Sequence, residues 1–225
     1  GPELDRTLAP AVRRAVLEVM VNTGLYVMEP EVLAEIPPGQ VVDWSADVFP
    51  KLLDRGAPLY GYVSDSYWED VGTHESYLKA QADVLAGRVQ TDIAGFEVSP
   101  GVWVAEGAEV DTDAVLTGPL CIGDYAKIEA GAHLREYTVI GSNVVVKEGA
   151  FLHRAVVHNN VYIGQGVTLR GCVIGKNTDV MRLARIEEGA VVGDECVIEP
   201  EAYLSAEVKV YPFKTIEAGA AIHTN

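Results

Sequence analysis

Along the second half of the chain an aliphatic side chain recurs at every sixth position. The series runs Val104, Val110, Leu116, Ile122, Ile128, Leu134, Ile140, Val146 and Leu152. It shortens by one to Val157, Ile163 and Leu169, shortens again to Ile174, and continues through Val180, Ile186, Val192, Ile198, Leu204, Val210, Ile216 and Ile222. These are twenty-one sites with two slips. A period of six fits neither a helix nor a plain alternating strand. Glycine falls either directly after a repeat aliphatic (Gly123, Gly141, Gly164, Gly175, Gly193) or three residues after one (Gly107, Gly131, Gly149, Gly189, Gly219), where its tolerance of positive φ lets the chain turn. Each hexad is therefore a short strand plus a corner. Three hexads make a triangular coil, and coils stack as parallel strands roughly 4.8 Å apart. The pattern predicts a mainly β protein whose residues 102–225 form a parallel β-helix of about seven coils, on the order of 34 Å long at that spacing.

The preceding residues follow another rhythm. Strand candidates lie at 21–27 and 59–63. Pro30 opens a short helix over 31–36. Ser45 is placed to cap a helix running to Arg55, with Gly56 as its stop. Thr73 caps a helix that carries Tyr77, Leu78, Gln81, Val84 and Leu85 and ends at Gly87. Strands alternating with helices predict a small, partial α/β unit over 21–88, joined by a linker at 89–101 to the β-helix. Residues 1–20 read as a separate helical segment, with Leu4, Leu8, Val12, Val16 and Val19 near helical spacing and Gly1-Pro2 as a cleavage scar.

Charge narrows the function classes. The chain has 225 residues with 33 acidic against 17 basic side chains, a net charge of −16. Such a chain repels phosphodiester backbones and anionic membranes, so neither nucleic acid nor membrane is an expected partner. No run of about 18 apolar residues is present and no signal peptide is visible, which points to the cytoplasm. Cys121, Cys172 and Cys196 are scattered and read as small buried apolar residues rather than metal or redox groups.

Two stretches of the α/β unit sit where a strand gives way to a turn, the usual place for ligands in open α/β sheets. They are Asn22-Thr23-Gly24-Leu25-Tyr26 and Trp68-Glu69-Asp70-Val71-Gly72-Thr73. Hexads such as Ile122-Gly123-Asp124, Ile140-Gly141-Ser142 and Ile174-Gly175-Lys176 resemble the bacterial hexapeptide repeat, which implies a left-handed β-helix. The hand comes from that resemblance, because the general crossover preference is right-handed. Together with Asp47-Val48-Phe49-Pro50-Lys51, the two stretches followed by the prism resemble the C-terminal part of the sugar-1-phosphate nucleotidyltransferases, most closely the mannose-1-phosphate guanylyltransferase type. The resemblance implies that Asn22, Thr23 and Gly24 lie at the sugar site and that Asp70 is one of two carboxylates holding Mg²⁺. It implies attack of a sugar-1-phosphate on the α-phosphate of GTP. The glycine-rich phosphate loop of that family, its first metal-binding aspartate and its base pocket have no counterpart in the sequence. No catalytic residue is assigned, and the chain is expected to be inactive alone. A capping element after the last coil is not visible either.

Other readings stay open. Flat prism walls suit self-association, so a homo-oligomer, or a non-catalytic oligomerisation or regulatory module, is a second expectation. A hexapeptide acyltransferase using His153 or His158 as general base is a third. Arg182, Arg185, Lys209 and Lys214 sit among the repeats of an acidic chain, as an anion site, an inter-subunit salt bridge or a solvated face.

Overall fold

The computed structural model describes residues 22–224. The segment read as a separate helix, residues 1–20, lies outside them. The described residues divide into two compact units between Trp68 and Glu69.

The second unit holds the β-helix. Twenty-one short strands, from Val102–Val104 to Ala221–Ile222, succeed one another and each contains one of the repeat aliphatics. They sort into three walls of seven parallel rungs. Wall I carries Val104, Ile122, Ile140, Val157, Ile174, Val192 and Val210 in register. Wall II carries Val110 through Ile216, and wall III carries Leu116 through Ile222. The ladder residues of the middle coils are wholly buried: Leu134, Leu152, Ile163, Leu169, Ile174, Ile186 and Ile198 are each between 0% and 1% exposed. Because consecutive residues of a strand point to opposite faces, the residue two before each aliphatic also points inward. That second column is mostly small: Ala126, Ala132, Ala150, Ala155, Ala184, Ala190 and Ala202, with Cys172 and Cys196 taking two of its places and Leu120, Val144, Val161, Val167 and Val208 five others. Burial pushes the Cys172 thiol up to about 12. Cys172 and Cys196 are core fillers as expected, whereas Cys121, expected to be buried with them, is half-buried on the outer side of wall I, because it alternates with the inward Leu120 and Ile122.

The slips have a local cause. Both shortened hexads, Leu152 to Val157 and Leu169 to Ile174, lie on the corner between walls III and I. At most other corners the left-handed residue stands three places after the aliphatic, as at Tyr137 (φ 61°), Gly189 (φ 75°) and Glu207 (φ 66°). In the two short corners it stands two places after, at Arg154 (φ 52°) and Gly171 (φ 51°). One corner residue is lost in each, and the wall register is untouched.

Glycine is not the only residue that turns these corners. Asn143, Asn160 and Asn177 occupy the same left-handed position on successive coils. Their amides form a ladder, with Asn143 Nδ2 donating to Asn160 Oδ1 at 3.2 Å and Asn160 Nδ2 to Asn177 Oδ1 at 3.0 Å. Asparagine tolerates this conformation better than most side chains. The glycine directly after an aliphatic has a different task, close coil stacking. A Cβ on Gly175 would lie 2.5 Å from the carbonyl carbon of Gly193.

Residues 96–99, inside the stretch read as a linker, form the strand Phe96–Ser99, antiparallel to Val102–Val104 at the edge of wall I. The helix α2 (His74–Leu85) belongs to this second unit. Val156 and Val173 point outward from wall I yet are only 3% and 6% exposed. Tyr77 of α2 reaches His158 at the same level, with the phenol oxygen 3.4 Å from Nε2. At this level the outer face of wall I is therefore covered.

The first unit departs from the expected strand and helix alternation. Neither 21–27, as far as it is described, nor 59–63 forms a strand. A strand requires a neighbour to take its backbone N–H and C=O groups, and no described residue pairs with either segment. Leu25, Val27, Tyr60 and Tyr62 are accordingly exposed. The helical expectations fare better. Pro30–Glu35 is a 3₁₀ turn, and α1 (Phe49–Asp54) follows a wide π turn, Trp44–Val48. The cap is Asp43 rather than Ser45: Asp43 Oδ1 accepts from the N–H groups of Ser45 at 2.8 Å and Ala46 at 2.7 Å. A carboxylate two positions earlier satisfies two free donors at once, which the serine hydroxyl at position 45 does not.

Replacing Ile128, 1% exposed on the second rung of wall II, by Asp is expected to destabilise the prism by several kcal/mol, because an unpaired charge enters an apolar core. Thermal denaturation checks this, and an unchanged Tm contradicts the inward ladder.

Candidate functional site

Asn22, Thr23 and Gly24 make a tight turn in the first unit. Asn22 Oδ1 accepts from the Gly24 N–H at 3.0 Å, an Asx-type closure, and Gly24 has φ 74°. Asn22 Nδ2 donates to the Tyr26 hydroxyl at 2.7 Å and to Ser45 Oγ at 3.2 Å. Tyr26 stacks edge-on against Phe49, 5.0 Å between ring centres, and Trp44 lies 6.0 Å from Phe49. The amide of Asn22 is thus committed to holding the turn onto the Trp44–Val48 segment. Thr23 and Gly24 stand exposed at its tip.

Asp70 belongs to the second unit, just before α2. Thr73 caps that helix reciprocally: its Oγ1 accepts from the Ser76 N–H at 3.1 Å while Ser76 Oγ accepts from the Thr73 N–H at 3.0 Å. Glu69 is ion-paired with Lys79. Lys79 also meets Asp83 at 3.0 Å, and Arg88 meets Asp83 at 2.7 Å. Asp83 is 3% exposed, so a buried carboxylate between two cations fastens the turn to the helix. Hydrogen bonds to Glu69 and then Asp83 raise the Lys79 ammonium above its usual range. This network escaped the sequence reading, which followed only the apolar positions of α2. The four-residue spacing of Lys79 and Asp83 was its one visible signal.

Within this arrangement the two neighbouring carboxylates have different fates. Glu69 is held by Lys79, whereas Asp70 is exposed and makes no ion pair among the described residues. Nothing else of the same kind stands beside it: no group of three metal-ligating side chains occurs among the described residues. Of the two histidines near the slips, His158 faces Tyr77, ring centres 6.2 Å apart, and His153 helps to lower the Glu136 carboxyl, after that residue's own backbone N–H and Arg135. No described helix is long and apolar enough to cross a membrane.

The capped turn carrying Asp70 and the three-walled hexapeptide prism lie in one chain, and comparison with known proteins identifies its family. The family described as Nucleotidyl transferase matches residues 7–87, and that described as GMPPB C-terminal domain matches residues 116–224. A UTP–glucose-1-phosphate uridylyltransferase of Synechocystis sp. is 36% identical over 162 residues, covering 71% of this chain and 42% of that protein. A mannose-1-phosphate guanylyltransferase of Mycobacterium tuberculosis is 36% identical over 135 residues, covering 60% and 37%. Among solved structures, a hexapeptide transferase family protein from Anaplasma phagocytophilum aligns with a TM-score of 0.42 at 22% identity, over 52% of this chain and 79% of that one. The chain belongs to the sugar nucleotidyltransferase family whose members carry a hexapeptide left-handed β-helix. It spans about two fifths of the length of the two curated relatives described. The first match begins at residue 7, so residues 7–20, which the sequence reading set outside the family, fall inside it.

Thr73→Ala removes the reciprocal cap and is expected to destabilise α2 by about 1 kcal/mol. Urea denaturation followed by helical circular dichroism checks this. An unchanged midpoint means that the cap does not hold the turn.

Proposed function

We propose that this chain is the C-terminal part of a sugar-1-phosphate nucleotidyltransferase of the mannose-1-phosphate guanylyltransferase type, forming GDP-mannose and pyrophosphate from GTP and mannose 1-phosphate. The observation that carries the reading is the order of the two family matches along one chain, transferase portion first and GMPPB C-terminal domain second. The uridylyl relative is as similar as the guanylyl one, each at 36% identity, so the choice of guanine and mannose rests on the sequence motifs around Asp47 and Asp70.

In this reading the exposed tip at Thr23 and Gly24, braced by Asn22, borders the sugar, and Asp70 supplies a hard oxygen ligand. Mg²⁺ takes one or two carboxylates and draws its remaining ligands from phosphate oxygens and water. An exposed aspartate with no competing cation fits that donor set. Bound there, Mg²⁺ neutralises charge on the phosphates during in-line displacement. The sugar-1-phosphate oxygen attacks the α-phosphorus of the nucleotide, and the bond to the pyrophosphate oxygen breaks. The network Glu69, Lys79, Asp83 and Arg88 keeps the turn that bears Asp70 in place. Self-association through the prism walls is the partner reading that accompanies this one.

The chain alone, incubated with Mg²⁺, GTP and mannose 1-phosphate, is expected to release no pyrophosphate. In a longer protein containing this sequence, Asp70→Asn is expected to lower Mg²⁺-dependent kcat/KM at least 100-fold at unchanged Tm. Turnover by the chain alone contradicts the reading of a partial enzyme, and an unaffected Asp70→Asn rate contradicts the metal role.

A further inference from the structure

The prism gathers its arginines on one wall and its edges. Of its ten basic residues, all five arginines lie on wall III or its flanking corners: Arg135, Arg154, Arg170, Arg182 and Arg185. Four of the five lysines, Lys127, Lys176, Lys209 and Lys214, lie on walls I and II or the corner between them, while Lys147, ion-paired with Glu129, stands on the corner between walls II and III. A solvated face has no use for such sorting. Arginine differs from lysine in presenting a planar fork that binds phosphate and carboxylate bidentately. Three of the arginines have acidic neighbours: Arg135 with Glu136 at 3.5 Å, Arg170 with Glu187 at 3.8 Å and Arg182 with Glu201 at 3.4 Å. Arg154 and Arg185 have no ion pair among the described residues.

Arg185 also borders a groove. Parallel register sets Thr168, Arg185 and Tyr203 side by side on three successive coils, facing outward. At the corner beside them Gly166 has no side chain, while Leu183 and Glu201 rise on the next two coils. The resulting open groove has a volume of about 460 Å³. Its inventory is specific. Arg185 and the Thr168 hydroxyl are donors for an anion. Tyr203 and Leu183 offer a ring and an apolar flank. Glu201, its charge offset by Arg182, offers acceptors for hydroxyl groups.

We propose that this groove on wall III binds a small phosphorylated polyol, its phosphate on Arg185 and Thr168 and its hydroxyls toward Glu201. The site is distinct from the sugar-site and metal residues described above, none of which lies on wall III, and it does not depend on the proposed activity. With Arg135, Arg170 and Arg182 each beside a glutamate, Arg185 is the groove's cation without an ion pair among the described residues and the charge that draws the anion.

The test is calorimetric titration of the full chain at physiological ionic strength with glucose 6-phosphate, inorganic phosphate and glucose as probes. Glucose 6-phosphate is expected to bind at least tenfold more tightly than inorganic phosphate, with glucose not binding. Arg185→Gln, exposed and therefore neutral for folding, is expected to weaken it at least tenfold, while Lys209→Gln, an unpaired cation on wall I, leaves it unchanged. Absence of binding at millimolar concentration overturns the proposal. So does equal affinity for inorganic phosphate, which would mean that the groove contributes nothing. Equal weakening by Lys209→Gln would show diffuse charge attraction and overturn it as well.

Discussion

Everything in the β-helix depends on one constraint: each coil must return its aliphatic residue to the position directly above the last. Parallel rungs stand roughly 4.8 Å apart, so a ladder such as Ile140, Val157 and Ile174 closes into a dry column only if every coil has the same projected length. The interior enforces this by size. One branched aliphatic and a second inward residue, most often alanine, per strand fill a narrow triangle, and the buried hydroxyls of Thr138 and Thr178 find backbone oxygens at Leu152 and Gly193. A void or an extra methylene on one rung is felt by the rungs on either side.

The corners are where the constraint is relieved. A left-handed residue turns the chain, and its identity is free enough for Asn, Glu, Tyr and Phe to replace Gly. Two consecutive coils omit a corner residue without disturbing any wall. The outward positions are freer still, and it is on them that the walls acquire different characters. Wall I accepts apolar cover at Val156 and Val173, and wall III collects arginine. A fold so uniform inside can therefore carry chemistry only on its outer faces and at its attachments, such as the turn at Asp70 that α2 and its ion pairs hold.

All twenty-one strands were legible in the sequence because each inward position repeats the same chemical demand at a fixed interval. The α2 helix and its Thr73 cap were legible for the same local reason. What was not legible depended on partners distant in sequence. Segments 21–27 and 59–63 have strand composition, but composition does not supply a neighbouring strand. Asp43 outcompetes Ser45 as a cap because its carboxylate meets two N–H groups, a matter of geometry rather than residue preference. Asp83 looked like one more surface carboxylate until Lys79 and Arg88 were seen around it. At the candidate site the residue types were visible in the motif, but which of Glu69 and Asp70 stays unpaired emerged only from the fold.

The central claim is that in-register stacking of the inward column carries the stability of this chain. Backbone hydrogen exchange measures it rung by rung. The amides of Val146, Ile163, Val180 and Ile198, successive rungs of wall II, are expected to exchange together and only through global opening, since each is locked between two coils. Amides of the segments around Val27 and Tyr62 are expected to exchange rapidly. Fast or scattered exchange along wall II, with protection concentrated in residues 22–68 instead, would contradict the account.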